Sequence, residues 1–494
     1  MRKLNYSEWA EKAADNSLNG LVWSSSIHAY NGITYCLTKG LDNEYLVVFG
    51  NRHREIPQKI YGTEVIVKET LFIFAELNHD HAERIREIFH YTAPVSTGSG
   101  VDSFGVGDRL GLASTGHLRL FTRTNMIPVL AQQSLRELEL TGRTFADVID
   151  AATWAVFRSG YCGSWIADGD HLKFAADAVS ALQQGCTMIT ADLSDHINYQ
   201  YLDMSEAALL EAYSQLNPNY CKLMSELYSG NLVFEGSCQI SFSPTIRALT
   251  VLVYKDAVSY ALELYKACQT VNDSFDFEVS IDETETATSL EAHYFVAKEL
   301  KRFGVPFISI APRFVGEFQK GIDYIGDLAE FEENFANHAA IAGALGYKLS
   351  VHSASDKFSA YPAIARQLKG PMHIKTSGTN WLVALKVIAK IDPGLYRKLH
   401  AHAYKVFPVA KSYYHVTPDL ESICDLSIME DEELHKIFDN SNDRQVLHIS
   451  YGEILKISNY KQSIYQVLES HIEDYWDELE QHIGRHIELL GKFT

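Results

Sequence analysis

Residues 103–389 repeat one unit, a short β-type run ending in polar side chains followed by a helical stretch. The runs fall at 103–110, 126–132, 164–168, 187–192, 274–280, 306–314, 348–352 and 372–376. Helical stretches follow at 115–124, 145–158, 175–184, 245–271, 289–303, 328–345, 360–368 and 382–389. Alternating β and α units build a parallel sheet covered by helices, and eight of them close it into a (β/α)₈ barrel; fewer would favour an open doubly wound sheet. The predicted organisation is a small α/β domain over 1–95, a catalytic barrel over 96–392 with an insertion near 199–241, and a helical extension over 393–494. The small, flexible segment Ser96-Thr97-Gly98-Ser99-Gly100 marks the first boundary. The Thr144 hydroxyl is placed to cap the helix of 145–158. The acidic amphipathic stretch 463–490 is expected on the outside of the barrel or on a partner subunit of a homo-oligomer.

Composition narrows the function classes. With 43 Lys+Arg against 63 Asp+Glu the formal net charge is −20, which speaks against a general nucleic-acid binder. A small anionic substrate stays compatible, because a local Arg/Lys cluster overrides a distant negative surface. The seven cysteines are scattered and include no CxxC pair, so they read as reduced thiols and not as a thiolate metal site. No apolar h-region follows Met1-Arg2-Lys3, and no window reaches the ~20 uninterrupted apolar residues of a membrane span. A cytoplasmic protein without membrane or nucleic-acid partners is expected.

In such a barrel the residues just after each strand line one rim, and catalysis comes from that face. Those positions carry Asp108 and Arg109, then Gln132, Gln133, Ser134 and Arg136, then Asp168-Gly169-Asp170-His171, then Asp192 to His196. The later strands add Glu278, Arg313, Glu317, His352, Ser355, Lys357, Lys375 and Ser377. His171, Glu317 and His352 make two imidazoles and a carboxylate, a facial set suited to a divalent cation such as Zn, Mn, Ni, Co or Fe. His196 and His338 are the reserve ligands, although His338 falls within a helical stretch.

Asp170 and Glu278 are the candidate acid/base pair. Glu278 sits in the apolar run Phe275-Asp276-Phe277-Glu278-Val279, where desolvation is expected to raise its pKa toward neutrality; the alternative is a buried salt bridge to Lys375 or Arg313. Asp282-Glu283-Thr284-Glu285-Thr286 reads as a rim loop and helix cap, and His79-Asp80-His81 as a solvated loop. The run 105–111 has its third glycine one place late for a dinucleotide loop and is read as a tight turn at the barrel mouth. Neither a Walker lysine motif nor a GxSxG elbow is present.

Several of these segments together resemble the tagaturonate epimerase family. They are Phe104-Gly105-Val106-Gly107-Asp108-Arg109-Leu110-Gly111, Ala131-Gln132-Gln133-Ser134, Thr141-Gly142-Arg143-Thr144, Asp168-Gly169-Asp170-His171, Phe275 to Ser280, Asp282 to Thr286, His352 to Phe358 and Lys375 to Thr379. The resemblance implies a metal-dependent enzyme that interconverts D-tagaturonate and D-fructuronate in hexuronate breakdown. It implies Asp170 as proton acceptor, Glu278 as proton donor, and His171 and His352 as metal ligands, with Glu317 third. Asp108, Arg109, Gln132 and Gln133 are expected around the substrate, with Arg136, Arg313, Lys357 or Lys375 on its carboxylate. The rivals are another metal-dependent ketose isomerase or aldolase on the same barrel, a Schiff-base aldolase using Lys375, and an inactive sugar-binding barrel.

Overall fold

The computed structural model describes residues 5–494 except 15–17, 19, 40–43, 52–58, 236–237, 285 and 377, so Glu285 and Ser377 of the rim segments lie outside the described residues. Each of the eight apolar runs forms a strand. They are β1 (Ser103–Gly105), β2 (Ile127–Gln133), β3 (Ile166–Leu172), β4 (Met188–Asp192), β5 (Asp276–Ile281), β6 (Ser309–Pro312), β7 (Lys348–Val351) and β8 (Met372–Lys375). All neighbours pair in parallel and the sheet closes, β8 against β1 and β5 against β4. Register brings Thr190 and Ser309 beside Glu278, so polar side chains fill the upper barrel interior.

β1 is shorter than its run because the chain turns at once. Gly107 and Gly111 take positive φ (56° and 76°), and the buried Asp108 carboxylate accepts N–H bonds from Leu110, Gly111, Ala113 and Ser114 at 2.7–3.2 Å. Asp108 thereby makes the turn and opens the helix Ser114–Phe121. Thr144 caps Phe145–Ser159 in a capping box with Asp147, and an extra helix, Leu135–Thr141, precedes it with its own box from Ser134 and Glu137. The insertion holds the helices Glu206–Ser214 and Pro218–Leu227 and the antiparallel hairpin Gly230–Val233/Gln239–Phe242.

The N-terminal segment builds a five-stranded antiparallel sheet in the order His28–Tyr30, Ile33–Leu37, Tyr45–Asn51, Thr70–Glu76, Thr63–Val67. His79-Asp80-His81 is not the solvated loop expected. It is the first turn of helix His79–Ile88, capped by Asn78, and the buried His81 ring bridges Glu76 O (2.7 Å) and Tyr61 N (3.2 Å).

The C-terminal helices pack on the outside of the barrel and share one hydrophobic cluster with it, from Leu110, Trp381 and Leu385 to Tyr396, Tyr451 and Tyr475. Trp381 Nε1 donates to Leu447 O (2.8 Å) and Tyr475 Oη to Asn380 O (3.1 Å). This packing carries the helix Ser441–Ile449 to the rim, where it bears on the site. Among the described residues no helix is long and apolar enough to cross a membrane.

Candidate active site

A cavity of about 550 Å³ opens at the carboxyl ends of the strands and narrows to a recess of about 60 Å³ that shares Arg136, Glu283, Lys320, His352, Ser353 and Tyr414 with it. His171 and His352 stand in the recess. His171 Nε2, His352 Nδ1 and Asp282 Oδ1 form a triangle with edges of 3.2, 3.3 and 3.8 Å. Donors that share one ion at about 2.1 Å stand roughly 3.0–3.4 Å apart, so this triangle is close to a coordination face. The far nitrogen of each ring meets a carboxylate: His171 Nδ1 lies 2.9 Å from Asp170 Oδ1 and His352 Nε2 lies 2.8 Å from Glu278 Oε1. Such carboxylate–imidazole pairs orient metal-binding histidines and raise their basicity. Backbone strain sits at the same place, with His171 (φ 51°) and Ser353 (φ 50°) in the left-handed region that non-glycine residues seldom occupy.

Burial opposes charge on His171, but Asp170 and Asp282 outweigh it and hold the imidazole pKa well above its ordinary value. His352 is raised less, with Asp282 for it and Lys375 against it. Burial alone would raise the Asp282 carboxyl too, but the two imidazoles hold it well below the usual range. The cluster as a whole favours positive charge between these three groups.

Beneath the imidazoles the Lys375 ammonium joins three buried carboxylates: Asp168 Oδ2 at 2.9 Å, Asp170 Oδ1 at 2.6 Å and Glu278 Oε1 at 2.9 Å, with Thr190 Oγ1 at 2.6 Å. The expected rise of the Glu278 pKa is therefore overturned. Burial pushes it up, but Lys375, His373 and His352 outweigh burial and set it well below the usual range. The salt bridge to Lys375 is the arrangement present, and Arg313 instead donates to Thr284 O. Asp170 is likewise lowered, by Lys375 and His171 against burial. Asp168 goes the other way, raised by burial and by Asp170 and Glu278 beside it. Lys375 itself is held well above its ordinary pKa by the three acids, against burial. A Schiff-base nucleophile needs a free neutral amine, which this constellation disfavours.

The structure brings together only part of the expected site. Asp170, His171, His352, Lys375, Arg109 and Arg136 line the recess, and Arg313 and Glu317 line the outer cavity. Glu317 hydrogen-bonds Gln319 and stands 3.6 Å from His415 Nε2, outside the imidazole–Asp282 cluster. Glu278 is fully buried behind His352. Asp108 is used in its turn, Gln133 donates to Asp108 O, and Gln132 donates to Asp168 at 3.4 Å. Lys357 spends its three N–H bonds on the carbonyls of Gln319, Ile322 and Ser355 at 2.6–2.9 Å. His196 stacks on Tyr260 and His338 bonds His293, both away from the cluster. Asp282, expected in a rim loop and helix cap, instead faces the histidines, and Ser289 caps the following helix. Lys320 and His448, which also line the recess, carry no sequence signal, one lying in a long loop after β6 and the other in the C-terminal extension.

Comparison with known proteins gives one direction. A family model described as tagaturonate epimerase matches residues 23–490. The tagaturonate/fructuronate epimerase of Thermotoga maritima is 38% identical over 474 residues, 95% of this chain and 96% of that protein. A glycerol complex of the fructuronate-tagaturonate epimerase UxaE from Cohnella laeviribosi superposes with a TM-score of 0.93 at 39% identity, spanning 98% of this chain and 99% of that one. Its native form gives 0.92 at 38% identity over 98% and 100% of the two chains.

Proposed function

Because the chain belongs to the tagaturonate epimerase family, and is an isomerase with it, we propose that it interconverts D-tagaturonate and D-fructuronate in hexuronate breakdown with a bound divalent cation. The observation that carries the metal dependence is the His171–Asp282–His352 triangle with a carboxylate behind each imidazole. Two nitrogens and one oxygen are the donor set of Zn, Mn, Ni, Co or Fe sites that keep positions open for substrate. Glu283 Oε1, 4.0 Å from His171 Nε2, is a further carboxylate beside the triangle, whereas Glu317 lines the outer cavity. When bound, the cation supplies a Lewis acid for the negative charge that develops on the ketone oxygen.

The residues supply the proton transfers. The inverted carbon is β to the ketone, so its C–H is not acidified directly and a plain deprotonation is inadequate. Either the C–C bond next to it opens by retro-aldol cleavage and re-forms on the other face, or an enediol first moves the carbonyl. Both routes begin with removal of a proton from a hydroxyl or a carbon and end with its return. Asp170 lines the recess, is ionised, and takes that proton at a carboxylate oxygen. Lys375 spans Asp170 and Glu278 at 2.6 and 2.9 Å, so the proton that Asp170 has taken is returned from Asp170 itself, while the ionised Glu278 holds Lys375 and His352 in place without touching substrate.

The test is turnover of D-tagaturonate by protein stripped with a chelator and refilled with Mn, Co, Ni or Zn. Fructuronate is expected only after refilling; a folded, metal-binding protein that forms none would refute the reading. In D₂O, deuterium at the inverted carbon marks the enediol route and retained hydrogen marks retro-aldol cleavage.

A further inference from the structure

The recess has a second wall, opposite in character to the imidazole–carboxylate cluster. Arg109 is buried, gives Nε and Nη2 to Glu137 Oε1 at 2.9 and 2.6 Å, and lies flat on the Tyr451 ring at 3.8 Å. Its Nη1 is buried without a hydrogen-bond partner. Beside it stands His448, 1% exposed, with both ring nitrogens unpartnered. Its place requires a glycine opposite, since a Cβ on Gly378 would come within 2.4 Å of His448 Nε2. Lys320 donates to Ser353 Oγ at 2.9 Å and keeps further N–H bonds to give. Arg136 closes the mouth, stacked on Tyr414 at 4.4 Å. Three cations here face two carboxylates, Glu137 and Glu283, leaving one positive charge uncompensated in a confined space. Buried donors without partners are rare in native proteins and call for an occupant.

We propose that Arg109, Lys320 and His448 form the seat of the substrate's carboxylate, so that the C-terminal extension supplies the group that selects a sugar acid over a neutral sugar. The inference rests on the sugar-acid reading above and adds a polarity to it, with the carboxylate at the Arg109–Lys320–His448 end and the reacting carbons toward His171 and His352. Arg109 offers Nη1, Lys320 a charge-assisted N–H, and His448 an imidazole N–H to one anion. Tyr414 and Tyr451, joined through their hydroxyls at 3.2 Å, position the two guanidinium groups.

Calorimetric titration of the full-length protein with D-galactonate, an open-chain sugar acid without a ketone, tests this against galactitol, its neutral counterpart. Wild type is expected to prefer the acid, and Lys320→Met to weaken the acid at least tenfold with galactitol unchanged. His448→Gln, a milder change at a buried site, is expected to weaken the acid three- to tenfold. Undiminished acid binding in both variants, or equal weakening for acid and alcohol, would overturn the seat. Because the probe does not react, the result is independent of turnover: acid-selective binding lost in the variants supports the seat even if D-tagaturonate is not turned over, which would retire the activity alone.

Discussion

Lys375 holds more of the site together than any other side chain, because three buried carboxylates depend on one ammonium. Removing one partner of a buried ion cluster leaves charge without compensation, at about 3–5 kcal/mol. Lys375→Met is therefore expected to lower stability by about that amount at pH 7.5. The loss should shrink toward pH 5, since a proton on one of the freed carboxylates removes the unpaired charge; chemical denaturation at the two pH values checks it. The metal end has its own test. Asp282→Asn, which removes the anionic oxygen 3.3 Å from His352 Nδ1, should lose metal on dialysis, whereas Glu317→Gln should keep it. Metal analysis with the reverse pattern would restore Glu317 as the third ligand. The legible part of this site followed the strand ends: Asp170 and His171 fall in the last three residues of β3, Lys375 ends β8 and His352 follows β7. Asp282 sat inside a recognised segment but was hidden by an equally good capping pattern. His448 carries no local signal, since only tertiary packing brings the helix Ser441–Ile449 to the recess.

At the scale of elements, the helix pair that fastens the C-terminal extension to the barrel gives a sharp case. Gly116 lies within the helix Ser114–Phe121, and a Cβ there would meet Trp476 Cα at 2.9 Å in the helix Ile472–Leu489. Alanine would gain about 1 kcal/mol of helix propensity. The contact atom is main chain, however, so one helix must shift against the other, at about 1–3 kcal/mol for overpacking. Overpacking wins, and Gly116→Ala should lower the thermal midpoint; a rise would mean that the helices slide freely. The barrel strands were legible because buried parallel strands read as near-continuous apolar runs with polar punctuation. Short or half-exposed elements gave no such pattern. The strand His28–Tyr30 is largely exposed, and the seven-residue helix Leu135–Thr141 is held by its capping box and packing more than by periodicity.

Across the whole molecule, buried imidazoles set how the fold responds to acid. Burial holds His117 down to about 4 and His338, His373 and His486 to about 3, while His293 is also well below its ordinary value. An unfolded chain titrates its histidines near 6.5, so below that pH it binds protons that the folded state refuses. The sign follows directly: this stability is fully present above about pH 6.5 and is lost as pH falls toward 4. Each group contributes a slope of up to about 1.4 kcal/mol per pH unit in that window. His171 and His352, raised in the folded state, act in a different window: their stabilisation is fully present below about pH 6.5 and is lost as pH rises through their folded values. The remaining depressed carboxylates, Asp356 among them, take effect only below their own unfolded range near pH 4. The molecule should therefore lose several kcal/mol between pH 7 and pH 5. His338, bonded to His293 and remote from the metal-binding cluster, isolates the cause. In His338→Gln the fall of the thermal midpoint between pH 7 and pH 5 should be shallower than in wild type, by about one proton's share. An unchanged slope would move the origin of acid sensitivity away from these buried rings.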